Sequence, residues 1–155
     1  TYGTGTKISV ENVSPFLGEA GTGPIYELAN FIISGNSGSA LETVSRLMNS
    51  TSISSAKAMH PLQIVSLLAN HFRKLAILDN PDIRNKNDAH AALGSKGSPF
   101  GSGKSLEVSM QIGSKRLLKA IAEIGNADTS LKGDTAIDGQ IIIELLVISL
   151  CKLCS

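Results

Sequence analysis

The chain has 155 residues, of which 42% are apolar and 17% charged, and its formal net charge is +1. This composition excludes intrinsic disorder. The chain lacks the basic and aromatic character of an autonomous nucleic-acid-binding domain, because its net charge is small and it contains four phenylalanines, two tyrosines and no tryptophan. Two cysteines, Cys151 and Cys154, are too few for a secreted disulfide scaffold.

The start of the chain and its longest apolar stretch indicate where the protein is located. The chain begins at Thr1 without a leader-like segment, so we expect a fragment or a processed product. The longest apolar stretch, residues 141–154, is shorter than the roughly 20 residues of a membrane span and contains Glu144 and Lys152. We therefore expect a cytoplasmic protein that does not contact a membrane.

The first predicted elements are a linker, a short helix and a hinge. Residues 1–6 are small and glycine-rich, and Ser9 is placed to cap a helix over residues 10–17. Three glycines within residues 18–23 predict a hinge. We place a domain boundary there.

A helical hairpin is predicted after the hinge. Pro24 suits the first turn of a helix that Gly35 ends. Ser39, with Glu42 three residues later, matches a capping box and predicts a second helix that continues to Met48.

The middle of the chain predicts one long and one short helix. His60 and Pro61 open the longest predicted helix, which runs to about Leu78 and stops before Pro81. A short helix over residues 88–93 follows.

Three more helices are predicted over residues 105–112, 114–131 and 138–154, with Ser114 and Asp138 as caps. No stretch shows the two-residue alternation of a strand, so an all-α domain is predicted. The last helix is apolar on nearly every face. It is therefore either the central helix or completes its burial against another chain.

Residues 101–105 (Gly-Ser-Gly-Lys-Ser) are similar to the end of a phosphate-binding loop. Ser98 stands where that motif requires its first glycine, and no apolar strand precedes the segment. A flexible loop that leads into a helix is the favoured interpretation. A phosphate- or nucleotide-binding enzyme that uses Lys104 and Ser105 is the alternative.

No catalytic, cofactor-binding or metal-ligating residue is predicted. Cys151 and Cys154 have the spacing of a redox motif, but they lie at the end of a predicted helix, where the dipole disfavours a thiolate. No paired histidine or cysteine stands at zinc-ligand spacing, and the three histidines are scattered. Buried or terminal inert thiols are predicted.

The positive charge is concentrated in one segment. Residues 73–119 contain nine lysines or arginines and four acidic residues. This indicates either a solvated basic face or an electrostatic contact with an acidic partner or a nucleic-acid backbone.

Several short motifs occur in a particular order along the chain. They are Ile8 to Val13 before the glycine-rich break, the helix ending at Gly35, Ala40-Leu41 leading to Arg46-Leu47-Met48, His60-Pro61-Leu62, Leu67 through Leu75, Ser114, Leu117-Leu118, Ala127-Asp128, Leu131-Lys132-Gly133, and a terminal helix with Glu144 and Cys151. This order resembles the C-terminal part of the delta subunit of bacterial DNA polymerase III, a component of the sliding-clamp loader.

The resemblance implies a helical collar (oligomerisation) domain over residues 21–155, a bundle of about six to eight helices, after the end of a lid domain over residues 1–20. It implies a non-catalytic accessory subunit of a DNA-directed DNA polymerase holoenzyme. Through the collar, this subunit would join the ATPase subunits and delta-prime without a cofactor. In the family, clamp opening belongs to an N-terminal domain outside these residues, and a contact with DNA would be indirect. An unrelated helical adaptor is a further alternative.

One signature residue pair of the resemblance has helical ion-pair spacing. Asp128 and Lys132 stand four residues apart, and we interpret them as structural.

The terminal helix contains two apolar stripes. One consists of Ile142, Leu146, Ser149 and Leu153, and the other of Ile141, Leu145 and Ile148. One stripe is expected to pack inside and the other to contact a partner collar. The candidate interface residues are Ile141, Ile142, Leu145 and Ile148.

Overall fold

The computed structural model describes residues 23–49, 57–96, 99–133 and 135–155. Within these ranges the chain forms seven helices and no strand, which confirms the predicted all-α bundle. They are α1 (23–33), α2 (Ser37–Met48), α3 (Pro61–Leu78), α4 (Lys86–Ala92), α5 (Phe100–Ile112), α6 (Ser114–Lys132) and α7 (Gly139–Cys154). None of these helices is long and apolar enough to cross a membrane. The helix predicted after Ser9 lies outside the described residues.

Helices α1 and α2 form the predicted hairpin, but the second cap differs from the prediction. Gly35 has a φ of 72°, and its N–H donates to the Ile32 carbonyl oxygen while the next N–H, of Asn36, donates to Phe31. This is a glycine-terminated helix end. Asn36, not Ser39, caps α2, because its side chain accepts from the Ser39 N–H. Because the chain turns at Gly35, the cap of α2 lies three residues before the predicted cap Ser39.

Helices α3 and α4 confirm the predictions with small shifts. His60 caps α3, since its Nδ1 accepts from the Leu62 N–H at 3.2 Å, and the helix ends at Leu78 as predicted. The prediction that this helix is the longest is wrong by one residue, because α3 has 18 residues and α6 has 19. Helix α4 begins at Lys86, capped by Asn85, slightly before the predicted start.

The predicted loop over residues 101–105 is wrong, because these residues lie in α5. The helix begins at Phe100, and the Ser105 hydroxyl donates to the Gly101 carbonyl oxygen within it. Ser102 is 6% exposed, and its Oγ lies 3.4 Å from Nδ1 of His90 on α4. Packing against α4 therefore outweighs the weak helix propensity of the two glycines.

Helix α6 follows α5 after a single residue. Gly113 occupies the cap position with a φ of 80°, so Ser114 is the first helical residue and not the predicted cap. No side chain caps this helix.

Two apolar clusters hold the bundle together. The main core draws on α1, α2, α3, α6 and α7, and on Ile112 of α5. A smaller cluster joins the end of α3 to α4 and α5 and consists of Leu78, Ile83, Ala89 and Leu106. Helix α7 packs against α2, α3 and α6, while its Ile141 and Leu145 side chains are exposed.

Candidate subunit interface

Helices α6 and α7 lie antiparallel with a groove between them. Ser130 and Ile142 line one end of this groove, and Lys119 and Lys152 line the other. Only residues 133–138 separate the two helices in sequence. A connection this short favours antiparallel neighbours.

The start of α7 is determined by two adjacent residues. The predicted cap Asp138 is confirmed, since its Oδ1 accepts from the Gln140 N–H at 2.8 Å. A Cβ on Gly139 would lie 3.1 Å from Cγ of Pro61 and 3.4 Å from Cδ2 of Leu131. The absence of a side chain at Gly139 therefore lets α7 begin close to the start of α3 and the end of α6.

The two faces of α7 differ in exposure. Its buried face consists of Ile142, Ile143, Leu146, Val147, Leu150, Cys151 and Cys154. Ile141 and Leu145 are 49% and 58% exposed, and Ile148 is half-buried. Helix α7 is therefore not buried all round within this chain. Of the four candidate interface residues, Ile141 and Leu145 face outward, while Ile142 is 8% exposed at the edge of the groove.

A residue before α7 extends this exposed apolar surface. Ile137 is 55% exposed and lines the groove together with Ile142 and Leu145. It precedes the cap Asp138, and Ile142 is the fourth helical residue, so the two have the spacing of a hydrophobic staple. That spacing is visible in the sequence, although Ile137 was not among the predicted interface residues. Ile137, Ile141 and Leu145 are called the outer apolar patch below.

The predicted signature pair lies elsewhere on α6. Nζ of Lys132 is 2.7 Å from Oδ2 of Asp128. Both residues line a depression shared with α3, beside Asn70 and Arg73. Glu123, Asn126, Ala127 and Ser130 of α6 instead line the groove between α6 and α7. The structure therefore does not bring the signature pair together with the candidate interface residues.

The basic segment, residues 73–119, has two positively charged ends and a middle part without excess charge. Arg73 and Lys74 lie on α3, and Lys115, Arg116 and Lys119 lie in the first two turns of α6. Residues 79–107, between them, carry four basic and four acidic residues. The excess positive charge is therefore confined to the two ends of the segment.

The cysteines have the properties of buried, unreactive thiols. Burial raises the pKa of the Cys151 thiol, and burial with the neighbouring Cys151 raises the pKa of Cys154 to about 11. A thiol that stays protonated at neutral pH is a poor nucleophile and a poor metal ligand. Across the described ranges, no group of three or more histidine, cysteine or acidic side chains could hold a metal ion.

Comparisons with known proteins agree with this architecture. A family model described as the DNA polymerase III delta subunit, C-terminal domain, matches residues 22–150. The solved structure of the Bacillus subtilis DNA clamp loader delta protein (YqeN) matches with a TM-score of 0.71 and 19% sequence identity. This match covers 94% of the present chain and 40% of that protein, so the chain spans less than half of its length. No curated protein sequence matches.

At 19% identity, the structural likeness shows a shared helical fold. The family match is the stronger finding, because it extends over most of the chain, from residue 22 to residue 150. The chain therefore belongs to the family formed by the C-terminal domains of DNA polymerase III delta.

Proposed function

We propose that this domain is the collar of a clamp-loader delta subunit. In this role it is a non-catalytic oligomerisation domain that joins the ATPase subunits and delta-prime, so that the sliding clamp can be loaded on DNA. It acts in the cytoplasm and requires no cofactor. The observation that carries the proposal is the outer apolar patch on α7, in a chain that belongs to the delta C-terminal domain family.

The composition of the patch is typical of a protein-binding surface. Ile141 and Leu145 lie on successive turns and are about half exposed, and Ile137 adds to them at the start of the helix. Glu123, Asn126 and Ser130 supply polar side chains along the groove. Apolar side chains flanked by polar ones favour a partner. Burial of such a patch contributes about 25 cal/mol per Å², before the cost of association.

We also propose where the collar begins and which domain contacts the sliding clamp. The collar extends, in this proposal, over residues 21–155 and follows the end of a lid domain over residues 1–20; the start of the family match at residue 22 supports the first residue of the collar. Contact with the sliding clamp belongs, in this proposal, to an N-terminal domain outside the present residues. Any contact with DNA is indirect.

The alternative of a phosphate-binding enzyme has less support. Residues 101–105 lie in α5, and Nζ of Lys104 is 5.0 Å from the centre of the Phe100 ring. A phosphate-binding loop instead wraps its backbone N–H groups around the ligand. The helical geometry of residues 101–105 does not provide that arrangement.

The experiment is a co-purification with the loader subunits of the same organism, using the natural chain at its full length. The double variant Ile141→Asp/Leu145→Asp should lose the ATPase subunits and delta-prime, because charge on the patch opposes its burial. Met110→Asp is the matched control, since Met110 is 68% exposed on α5. Both variants should remain folded, with a loss in the free energy of unfolding below about 2 kcal/mol.

Failure of the wild-type chain to assemble with the loader subunits would contradict the proposed function itself. Normal assembly of the double variant would show that the outer apolar patch is not the assembly surface.

A further inference from the structure

The groove between α6 and α7 has an apolar half and a basic half. The depression beside Leu145 has a volume of about 260 Å³, and the one that ends at Lys119 and Lys152 has a volume of about 440 Å³. Glu123 and Ser149 line both depressions. The outer apolar patch is therefore continuous with the lysine pair.

The basic half of the groove contains two lysines, Lys119 and Lys152. Neither Lys119 nor Lys152 forms an ion pair within the part of the chain that the structure describes. Lys119, Lys152 and one carboxylate, that of Glu123, line this depression, so its lining carries a net charge of +1.

The start of α6 adds to this positive charge. Lys115 and Arg116 lie in its first turn, which contains no acidic residue. Arg116 also donates from Nη1 to the Ser155 carbonyl oxygen at 3.4 Å, which connects this turn to the end of α7. The basic half therefore favours an acidic partner.

We propose that the groove binds an amphipathic helix of a neighbouring loader subunit that carries apolar side chains at one end and carboxylates further along. Leu145 and Lys152 are seven residues apart, about 10 Å or two helical turns. The carboxylates should therefore lie about two turns beyond the apolar side chains. This inference rests on the proposed function and specifies the chemistry of the partner.

Two features favour a protein partner over a nucleic acid. The basic half is continuous with exposed apolar side chains, for which a phosphate backbone has no complement. Among the residues that the structure describes, no aromatic side chain lines either depression to stack on a base.

The test compares Lys119→Glu/Lys152→Glu with Lys96→Glu/Lys57→Glu in the full-length natural chain. Both control lysines are exposed and line neither depression. Affinity for the other loader subunits is measured at about 50 mM and about 300 mM salt, since screening weakens exposed charge pairs. The wild type and the control should bind more weakly at high salt. The groove variant should bind about tenfold more weakly than wild type at low salt, and high salt should no longer weaken its binding, because screening relieves the repulsion between the new glutamates and the partner carboxylates.

The result also separates this inference from the proposed function. Wild-type affinity and salt dependence in the groove variant would overturn the acidic partner helix, while assembly of the wild-type chain would leave the collar function intact. Duplex DNA binding is measured on the same variants, and weaker DNA binding with unchanged subunit affinity in the groove variant would overturn the inference in favour of a nucleic-acid contact. A wild-type chain that does not assemble would instead contradict the proposed function.

Discussion

The hydroxyl of Ser109 donates a hydrogen bond to the carbonyl oxygen of Leu75 at 2.7 Å, and this bond joins α5 to α3 inside the bundle. Ser109 is fully buried, and the Leu75 carbonyl also accepts from the Asp79 N–H at 3.2 Å. The bond holds the second half of α5 beside α3, close to where the main core meets the smaller cluster.

Ser109→Ala should lower the free energy of unfolding by about 1 kcal/mol, because it removes one buried hydrogen bond while the Leu75 carbonyl keeps its second donor. Urea unfolding measures this change. Ser105→Ala is the control, since that hydroxyl bonds the Gly101 carbonyl oxygen at a more exposed position of the same helix. Equal stability losses in the two variants would contradict a special contribution from Ser109.

Gly35→Ala should destabilise the domain by at least about 1 kcal/mol, because an alanine at a φ of 72° is strained. Its Cβ would also stand 2.7 Å from Cβ of Ser155. Gly125→Ala should instead raise the free energy of unfolding of the domain by about 0.5–1 kcal/mol, since Gly125 lies within α6 with open space around it. Thermal unfolding of both variants gives the comparison, and a stable Gly35→Ala variant would contradict the expected strain.

Neighbouring isoleucines on α7 should respond differently to the same substitution. Ile142→Asp places a charge at a site that is 8% exposed, so the free energy of unfolding should fall by about 3 kcal/mol or more. Ile141→Asp changes a side chain that is 49% exposed and should cost less than about 1 kcal/mol. Chemical denaturation of the two single variants tests this order. The reverse order would mean that the faces of α7 are assigned incorrectly.

His71 should make stability depend on pH. Burial, with the charge of Lys74, lowers its pKa to about 4 from the usual 6.5. Below about pH 6.5 the unfolded chain therefore binds a proton that the folded chain does not accept. The free energy of unfolding should fall as the pH decreases from about 6.5 to about 4, and this contribution should level off below that.

His71→Phe should reduce that slope while keeping a ring beside Tyr26, whose centroid is 5.4 Å away. Lys74→Ala should raise the pKa of His71 and so narrow the pH range over which stability falls. An NMR titration of the imidazole measures this pKa directly. A His71 resonance that titrates near its usual pKa in the wild type would contradict the expected pH dependence.

Local signals in the sequence determined the helix content and several helix ends. Gly35 ends a helix, His60 and Pro61 begin one, and Asp138 caps one. Each of these features depends on the residue and its immediate neighbours, since a side-chain acceptor or a positive φ acts within one turn. The apolar spacing along α3 and α7 likewise predicted which segments are helical, because one stripe of such a helix must be buried.

Only the tertiary structure decided where the longer-range features lie. Packing of Ser102 against His90 extends α5 over two glycines, against their local preference. The orientation of α7 depends on Pro61 and Leu131, which approach Gly139 from other helices. The groove also depends on which face of α6 lies toward α7, which places Lys119 beside Lys152 although they are 33 residues apart. Helical periodicity determines which residues share a face, but the neighbours that cover the face are determined by the packing of the whole bundle.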